Sequence, residues 1–555
     1  MDKRHIMRLV LATEIIVLLT SALAISRDYQ DSWILEGLEV PFTVFVVTYL
    51  GYFMVEKRLS WLISFALIAH ATFLLIPNLK YTWFQGLASD QFRQYGLALG
   101  TYNEGHIIPG NPYSDTPLLS LSFVSYSAIS GLPVLQSMKY FPLMLWFTYP
   151  IWIYIVLRMF GANFSLLKYA LLVSSIPVKP QISYLVVGTL FGAFFVFLVL
   201  VQFAKLAEKK DRRDWIVAII FILALVGGHT VSSMMLSAMF LIVPLLSLVL
   251  DRFSHDFSFA KAKPSLLGAI SVIVISLGWL STIATQLFNV TVNSFRPIIY
   301  KILNIPIIRE PRGFIPLRFF EIGFVDRLKI LLVFFGADLL LMFLTVVAVL
   351  VISRDPRLRK KGGLILFYFY VLTMGLIFLS GFLLNLGFNW FDRVFRLVLV
   401  ATPIFSCVVL YRIETKLRSK FVPMLVIGLL LVLATVELYQ CQPLVPAASS
   451  LGKGLPNDIP LVYVNEVNTA YQRYMISHAE RYIPSLTTIA ADRATTNQLG
   501  GLVNLNFLQD HRIYARFLDR YGLIQPEYVL LHFPGISGKF SEQAEICTKS
   551  FISSI

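Results

Sequence analysis

Charge is scarce in this 555-residue chain: Asp, Glu, Lys and Arg make up only 14% of it, against about a quarter in soluble globular domains. Cysteine is scarcer still. Three residues exclude a disulfide scaffold and a Cys-rich zinc module. Glycine-rich phosphate loops, zinc-type ligand spacing and internal repeats are also missing. In their place stand 57% apolar and 14% aromatic residues, with a mean hydropathy of +0.72. Such a composition excludes disorder, a collagen-like chain and a cytosolic enzyme. The formal net charge of +15 does not point to nucleic acid, because nucleic-acid binders carry their cations on water-soluble surfaces.

A bilayer core needs roughly 17–25 mostly apolar residues per helix. Runs of that kind recur at 9–25, 36–55, 60–76, 138–157, 164–178, 184–204, 215–228, 230–250, 265–287, 329–353, 363–385, 394–411 and 421–439. The chain is therefore expected to be an all-α polytopic membrane protein with about thirteen transmembrane helices over residues 1–439. Gly227-Gly228-His229-Thr230 is expected to form a tight turn between two of them. Lys3 and Arg4 precede an apolar run ending Ala22-Leu23-Ala24. That run resembles a signal peptide, and it is taken here as a retained anchor.

The cation-dense connectors are 205–213, 354–361 and 412–420. Lys and Arg collect in cytoplasmic loops, and a cytoplasmic N-terminus places all three inside, provided that the Ser-rich segment 117–133 does not cross. The cytoplasmic connectors then carry 23 Lys and Arg against 9 Asp and Glu, while the rest of the chain carries 24 against 23. The basic balance is thus a topology signal, with some attraction to anionic inner-leaflet lipids.

Three regions fall on the extracytoplasmic side: 77–137, 288–328 and the tail 440–555. The tail alternates strand patterns (461–464, 486–491, 528–532) with helical ones (468–481, 510–521), which predicts a small external α/β domain. Cys441 and Cys547 bracket it, and an oxidising exterior permits their pairing; Cys407 reads as a small buried apolar residue.

Titratable residues gather in the first external region: Asp90, Glu104, His106 and Asp115. A carboxylate at the membrane surface suits a reaction whose donor is a lipid, as general base or as ligand to a divalent cation. Each has a plainer reading as well. Ser89-Asp90 opens an amphipathic helix with Phe92, Tyr95 and Leu99 on one face, and Asp115 precedes Thr116-Pro117, so both are placed to cap helices. Glu104 and His106 sit in a Gly/Pro-rich stretch that also suits solvated side chains.

Cations at the outer ends of the spans form a second set: Lys80, His229, Arg312, and Arg393 with Arg396 one helical turn on. Arginine suits phosphate because its planar fork donates two parallel hydrogen bonds. An internal pair with Asp392 is the alternative. Glu14, His70 and Asp338 are scattered singly within spans and mark no ion path.

An acidic residue soon after an early span, a first large loop running from Trp83 through Asp90, Gly105-His106 and Asn111-Pro112-Tyr113 to Asp115, about a dozen spans and an external C-terminal domain together resemble the GT-C superfamily of membrane glycosyltransferases. That superfamily includes oligosaccharyltransferase catalytic subunits, protein O-mannosyltransferases and lipid A arabinose transferases, and uncharacterised archaeal-type members are the most similar. The resemblance implies inverting transfer of a sugar from a polyprenyl-phosphate carrier to a glycan, lipid or protein acceptor outside the cytoplasm. It makes Asp90 the base or metal-binding carboxylate, with magnesium or manganese as the cation. The chain departs from the pattern in having no second carboxylate beside Asp90, no Trp-Trp-Asp signature in the tail and two additional spans before the catalytic loop. The missing signature argues against protein N-oligosaccharyl transfer. The competing functions are a transporter or flippase of lipid-linked glycans, which calls for repeats and broken midplane helices, and a non-catalytic scaffold in envelope assembly.

Overall fold

A computed structural model describes residues 59–80, 89–107, 112–178, 181, 188–208, 211–251, 259–284, 324–355, 358, 362–383 and 388–440, together with three short strands in the tail. The expected spans 9–25 and 36–55, residues 288–323 of the expected loop 288–328, Glu14, Arg312, Cys441 and Cys547 lie outside the described residues; 324–328 belong to the helix that follows.

The first described helices are α1 (Leu59–Lys80), α2 (Ser89–Glu104), α3 (Leu118–Ser130), α4 (Val134–Trp146), α5 (Tyr149–Met159) and α6 (Phe164–Ser175). They are followed by α7 (Gly188–Glu208), α8 (Arg212–Gly228), α9 (Thr230–Asp251), α10 (Phe259–Thr282) and α11 (Phe324–Arg354). Last come α12 (Gly362–Leu383), α13 (Phe388–Leu399), α14 (Thr402–Leu417) and α15 (Phe421–Gln440). Local sequence sets several of their ends. Gly131 and Gly161 take the left-handed conformation, φ 71° and 69°, that a side chain would disfavour. Asp211 caps α8 by accepting from the Arg213 N–H.

Burial divides the helices by role. Along α7 almost every residue from Leu190 to Leu206 is buried, as in a central helix surrounded by others. Other helices of the bundle expose apolar stripes at three- and four-residue spacing instead. Examples are Ile216, Ile219, Ile220 and Leu223 on α8, Leu267, Ile270, Val274 and Leu277 on α10, and Leu339, Phe343, Val346 and Leu350 on α11. Water would penalise contiguous apolar faces of that extent, and lipid does not. Among the described residues, Gln136–Met159, Gly188–Ala207, Thr230–Val249 and Phe335–Arg354 are long and apolar enough to cross a bilayer, and α13 with α14 makes a fifth if counted as one span. These features are those of a helical membrane protein.

Side-chain pairs tie the connectors together. The Asn163 side chain caps α6 by accepting from the Leu166 N–H at 2.9 Å and donates to the Tyr411 hydroxyl at 2.7 Å. Arg412 pairs with Asp355 at 3.3 Å. Asn163, Asp355 and the Tyr411-Arg412 pair therefore meet at one end of the bundle. Asn163→Ala removes both the cap and the Tyr411 bond, and it is expected to cost about 1 kcal/mol or slightly more, seen as a lowered thermal midpoint.

The expected span 394–411 turns out to be two helices, α13 and α14, meeting at a 50° bend. Pro403 has no N–H for the Leu399 carbonyl, and the bonds of neighbouring amides shift by one residue. Ala401 N–H donates to Val398 O at 3.0 Å and Ile404 N–H to Ala401 O at 3.1 Å, so Leu397 O and Val400 O lose their usual helical donors. Each of the three carbonyls receives a hydroxyl: Tyr370 donates to Leu397 O (2.5 Å), Thr402 to Leu399 O (2.7 Å) and Tyr149 to Val400 O (2.6 Å). Such substitution is what lets non-helical backbone exist inside a membrane protein.

In the tail, β1 (Thr488–Ala491), β2 (Arg512–Tyr514) and β3 (Tyr528–Leu530) pair in parallel in the order β2-β1-β3. Two of these fall where strands are expected. The third overturns the helical reading of 510–521 at 512–514, because Ile513 and Tyr514 favour a pleated surface and pair with β1; the rest of that stretch lies outside the described residues. The expected strand 461–464 and helix 468–481 lie outside the described residues.

Candidate functional site

The first external region folds as short helices. Helix α2 begins at Ser89, so Asp90 sits in its first turn; the Asp90 side chain lies outside the described structure. The described buried face of α2 contains Gln94, Leu97, Ala98 and Thr101, with Leu99 partly buried against the same cluster; the Phe92 and Tyr95 side chains lie outside the described structure. Gln94 is tolerated there because its Oε1 accepts from the buried Ser120 hydroxyl of α3 at 2.8 Å. Helix α3, the segment expected not to cross, has only 13 residues and packs on α2 and α4.

Asp115 ends a 3₁₀ turn (Pro112–Asp115), and α3 starts after Pro117 without a side-chain cap. Its carbonyl accepts from the Trp279 indole N–H of α10 at 2.8 Å. Three residues further on, Leu118 packs on Gly227, with Trp279 beside it. The first loop is thus docked onto the junction of α8 and α9.

That junction is tighter than expected. Gly227 and Gly228 belong to α8, and His229 alone separates the two helices. The glycines serve close approach: a Cβ on Gly227 would meet Leu118, and one on Gly228 would overlap the Phe191 ring. Phe191 has little freedom to retreat, being buried beside Phe195 and stacked over Phe141. Gly228→Ala is expected to lower stability by about 1–3 kcal/mol through overpacking. A thermal unfolding series should show partial recovery when Phe191→Ala is added.

His229 lies against the N-terminal turns of α7, where Gly188 and Gly192 leave room for its ring. Its Nδ1 accepts from the Ser232 backbone N–H (3.3 Å) and sits 2.7 Å from the Ser232 hydroxyl. A neutral imidazole that accepts at Nδ1 carries its proton on Nε2. Enclosure, followed by the field of the Arg393 guanidinium, lowers the His229 pKa to about 3, so the ring is neutral at pH 7. Helix α13 packs against α7 and α9, and the charge of Arg393 reaches His229 from there. Arg396 lies one turn further along the same helix, partly buried like Arg393.

Of the expected set, His229 lies within the field of Arg393, and Asp115 lies on the loop docked beside the His229 junction. Glu104 and His106 are exposed at the far end of α2, where a ring nitrogen of His106 lies 3.1 Å from the Glu104 carbonyl. Fourteen residues of helix separate Glu104 from Asp90, or about 21 Å at 1.5 Å per residue. They cannot share one cation with Asp90, since hard cations bind oxygens at roughly 2.0–2.6 Å. Among the described residues no group of three His, Cys, Asp or Glu side chains is arranged to hold a metal. Lys80 ends α1, and its side chain, like that of Asp392, lies outside the described structure. Cys407 is buried, as expected.

Sequence reasoning missed Ser232, Trp279 and Gly188/Gly192. The last pair had a usable signal in its Gly-x-x-x-Gly spacing, which permits close helix approach in membranes. A serine one turn after a histidine and a tryptophan near a helix end carry no comparable mark.

Comparison with known proteins returns no matching family model and no matching curated protein. Among solved structures the chain is similar to the Archaeoglobus fulgidus oligosaccharyltransferase, both tethered to an acceptor peptide containing the NVT sequon and in the apo form. Sequence identity is 12% and 13%, the TM-score is 0.48 in each case, and the match covers 82% of this chain. The chain spans 64% of the length of that oligosaccharyltransferase.

Proposed function

We propose that this protein is an integral-membrane glycosyltransferase that moves a sugar, with inversion, from a polyprenyl-phosphate carrier to an acceptor on the extracytoplasmic face. The N-terminus lies in the cytoplasm and the tail outside, as a small α/β domain. Asp90 activates the acceptor hydroxyl by taking its proton. Arg393, with the neutral Nε2–H of His229, holds the donor phosphate, assisted by Arg396 and by Lys80 or Arg312 from the flanking loops. If a divalent cation takes part, Asp90 is the carboxylate that would hold it, and it would offset phosphate charge.

One observation carries this reading. The loop holding the candidate base is clamped by Trp279 and Leu118 onto the junction that carries His229, a residue within the field of Arg393. That docking supports a reading in which acid–base and phosphate-binding groups work at one end of the bundle. A neutral donor next to a permanent cation suits a lipid phosphate, because it adds a hydrogen bond without adding a second buried charge. The test is transfer from radiolabelled polyprenyl-phosphate sugars in proteoliposomes. Accumulation of the intact lipid-linked sugar on the opposite leaflet, without transfer, would instead support the flippase reading.

A further inference from the structure

The break between α13 and α14 is built to a higher standard than a tolerated kink. Three carbonyls lose their helical donors there, and each is answered by a hydroxyl. Thr402 caps from within its own turn, which many proline-containing helices do. Tyr149 and Tyr370 come from α5 and α12, 251 and 27 residues away in sequence, and both are fully buried. Two neighbouring helices thus fix the position of a bend that the α13–α14 backbone could otherwise relax. The beneficiary is α13, the amphipathic helix that bears Arg393 and Arg396.

We propose that the Tyr149 and Tyr370 hydroxyls are positioning residues that hold the α13–α14 bend and so aim Arg393 at the His229 junction. The proposal rests on the donor-phosphate reading for its chemistry, but its geometry is independent of that reading. Neither tyrosine touches the ligand. Each acts through the carbonyl it anchors, Val400 for Tyr149 and Leu397 for Tyr370. A straightened or mobile α13 would carry its guanidinium groups away from His229 while the rest of the bundle kept its packing.

The test uses the full-length protein in nanodiscs and compares Tyr149→Phe, Tyr370→Phe and the double variant with Phe203→Leu. Phe203 is a buried core residue of α7 that packs on Trp215 and Phe240, remote from the break, and serves as a control for plain loss of stability. The first readout is affinity for undecaprenyl phosphate. The double variant should bind about tenfold or more weakly, the scale of one unsatisfied buried acceptor, while Phe203→Leu changes binding less than twofold at a comparable loss of thermal midpoint. The second readout is cross-linking by a short bifunctional maleimide between cysteines placed at 229 and 393 in a chain lacking Cys407, Cys441 and Cys547. Its yield should fall in the tyrosine variants and persist in Phe203→Leu. If the double variant does not fold, the single variants carry the same comparison. Unchanged cross-linking in folded tyrosine variants overturns the positioning role. Absence of undecaprenyl phosphate binding by the wild-type protein, with cross-linking still sensitive to the tyrosines, overturns the donor reading and leaves the positioning role standing.

Discussion

Asp90→Asn is expected to abolish sugar transfer, lowering the rate by about 10²–10⁴-fold, while leaving the fold and the thermal midpoint unchanged. That range is what a positioned general base contributes. The substitution separates the two readings of this residue because asparagine caps a helix N-terminus about as well as aspartate. Were Asp90 only a structural feature of the first turn of α2, Asn would replace it with little consequence. The amide cannot accept a proton at neutral pH or neutralise a cation, so only the chemical role is removed. Measured in proteoliposomes with a saturating lipid-phosphate sugar, wild-type activity in this variant would sink the assignment.

Arg393→Gln with Arg396→Gln is the second large effect. Hydrogen bonds to charged partners are worth about 1.5–3 kcal/mol each, so the pair should raise KM for the donor by roughly 100-fold or more. The effect on kcat should be smaller, because phosphate contacts made before the transition state contribute uniform binding. Glutamine keeps a donor and most of the length but loses the charge and the fork. His229→Gln should show a weaker shift in the same direction, since a neutral ring contributes one uncharged hydrogen bond. A kcat effect with unchanged KM would move the arginines from donor binding to some later step.

The plainer features follow the same division. Glu104 and His106 attract attention as sequence because titratable residues near a membrane surface are scarce, yet they stand exposed at the end of α2 opposite Asp90. Gly227-Gly228 reads as turn punctuation, and the structure uses both glycines as helical contact points for Leu118 and Phe191. In lipid, where helices gain nothing from burying apolar surface against one another, small residues that let backbones approach carry more of the packing. Glycine in such a chain is therefore ambiguous until its neighbours are known.

Sequence alone determined the class of this protein, a helical membrane protein. Apolar run length and the low frequency of charge dictate helices that satisfy their own backbone in lipid, so residues 59–80, 188–208, 230–251 and 324–354 are legible without any partner. The clustering of cations in a few connectors and the candidate cationic ends of the spans were also local properties. Only the tertiary structure decided which distant groups meet. Trp279 finds the Asp115 carbonyl across 164 residues, Tyr149 finds Val400 across 251, and His229 comes within the field of Arg393 on another helix. The bend at Val400-Ala401 was hinted at by Pro403, but its persistence depends on hydroxyls from α5 and α12. Helix formation is local because its hydrogen bonds span four residues; the docking of one helix end on another depends on complementary shape and orphaned carbonyls, which no single stretch of sequence records.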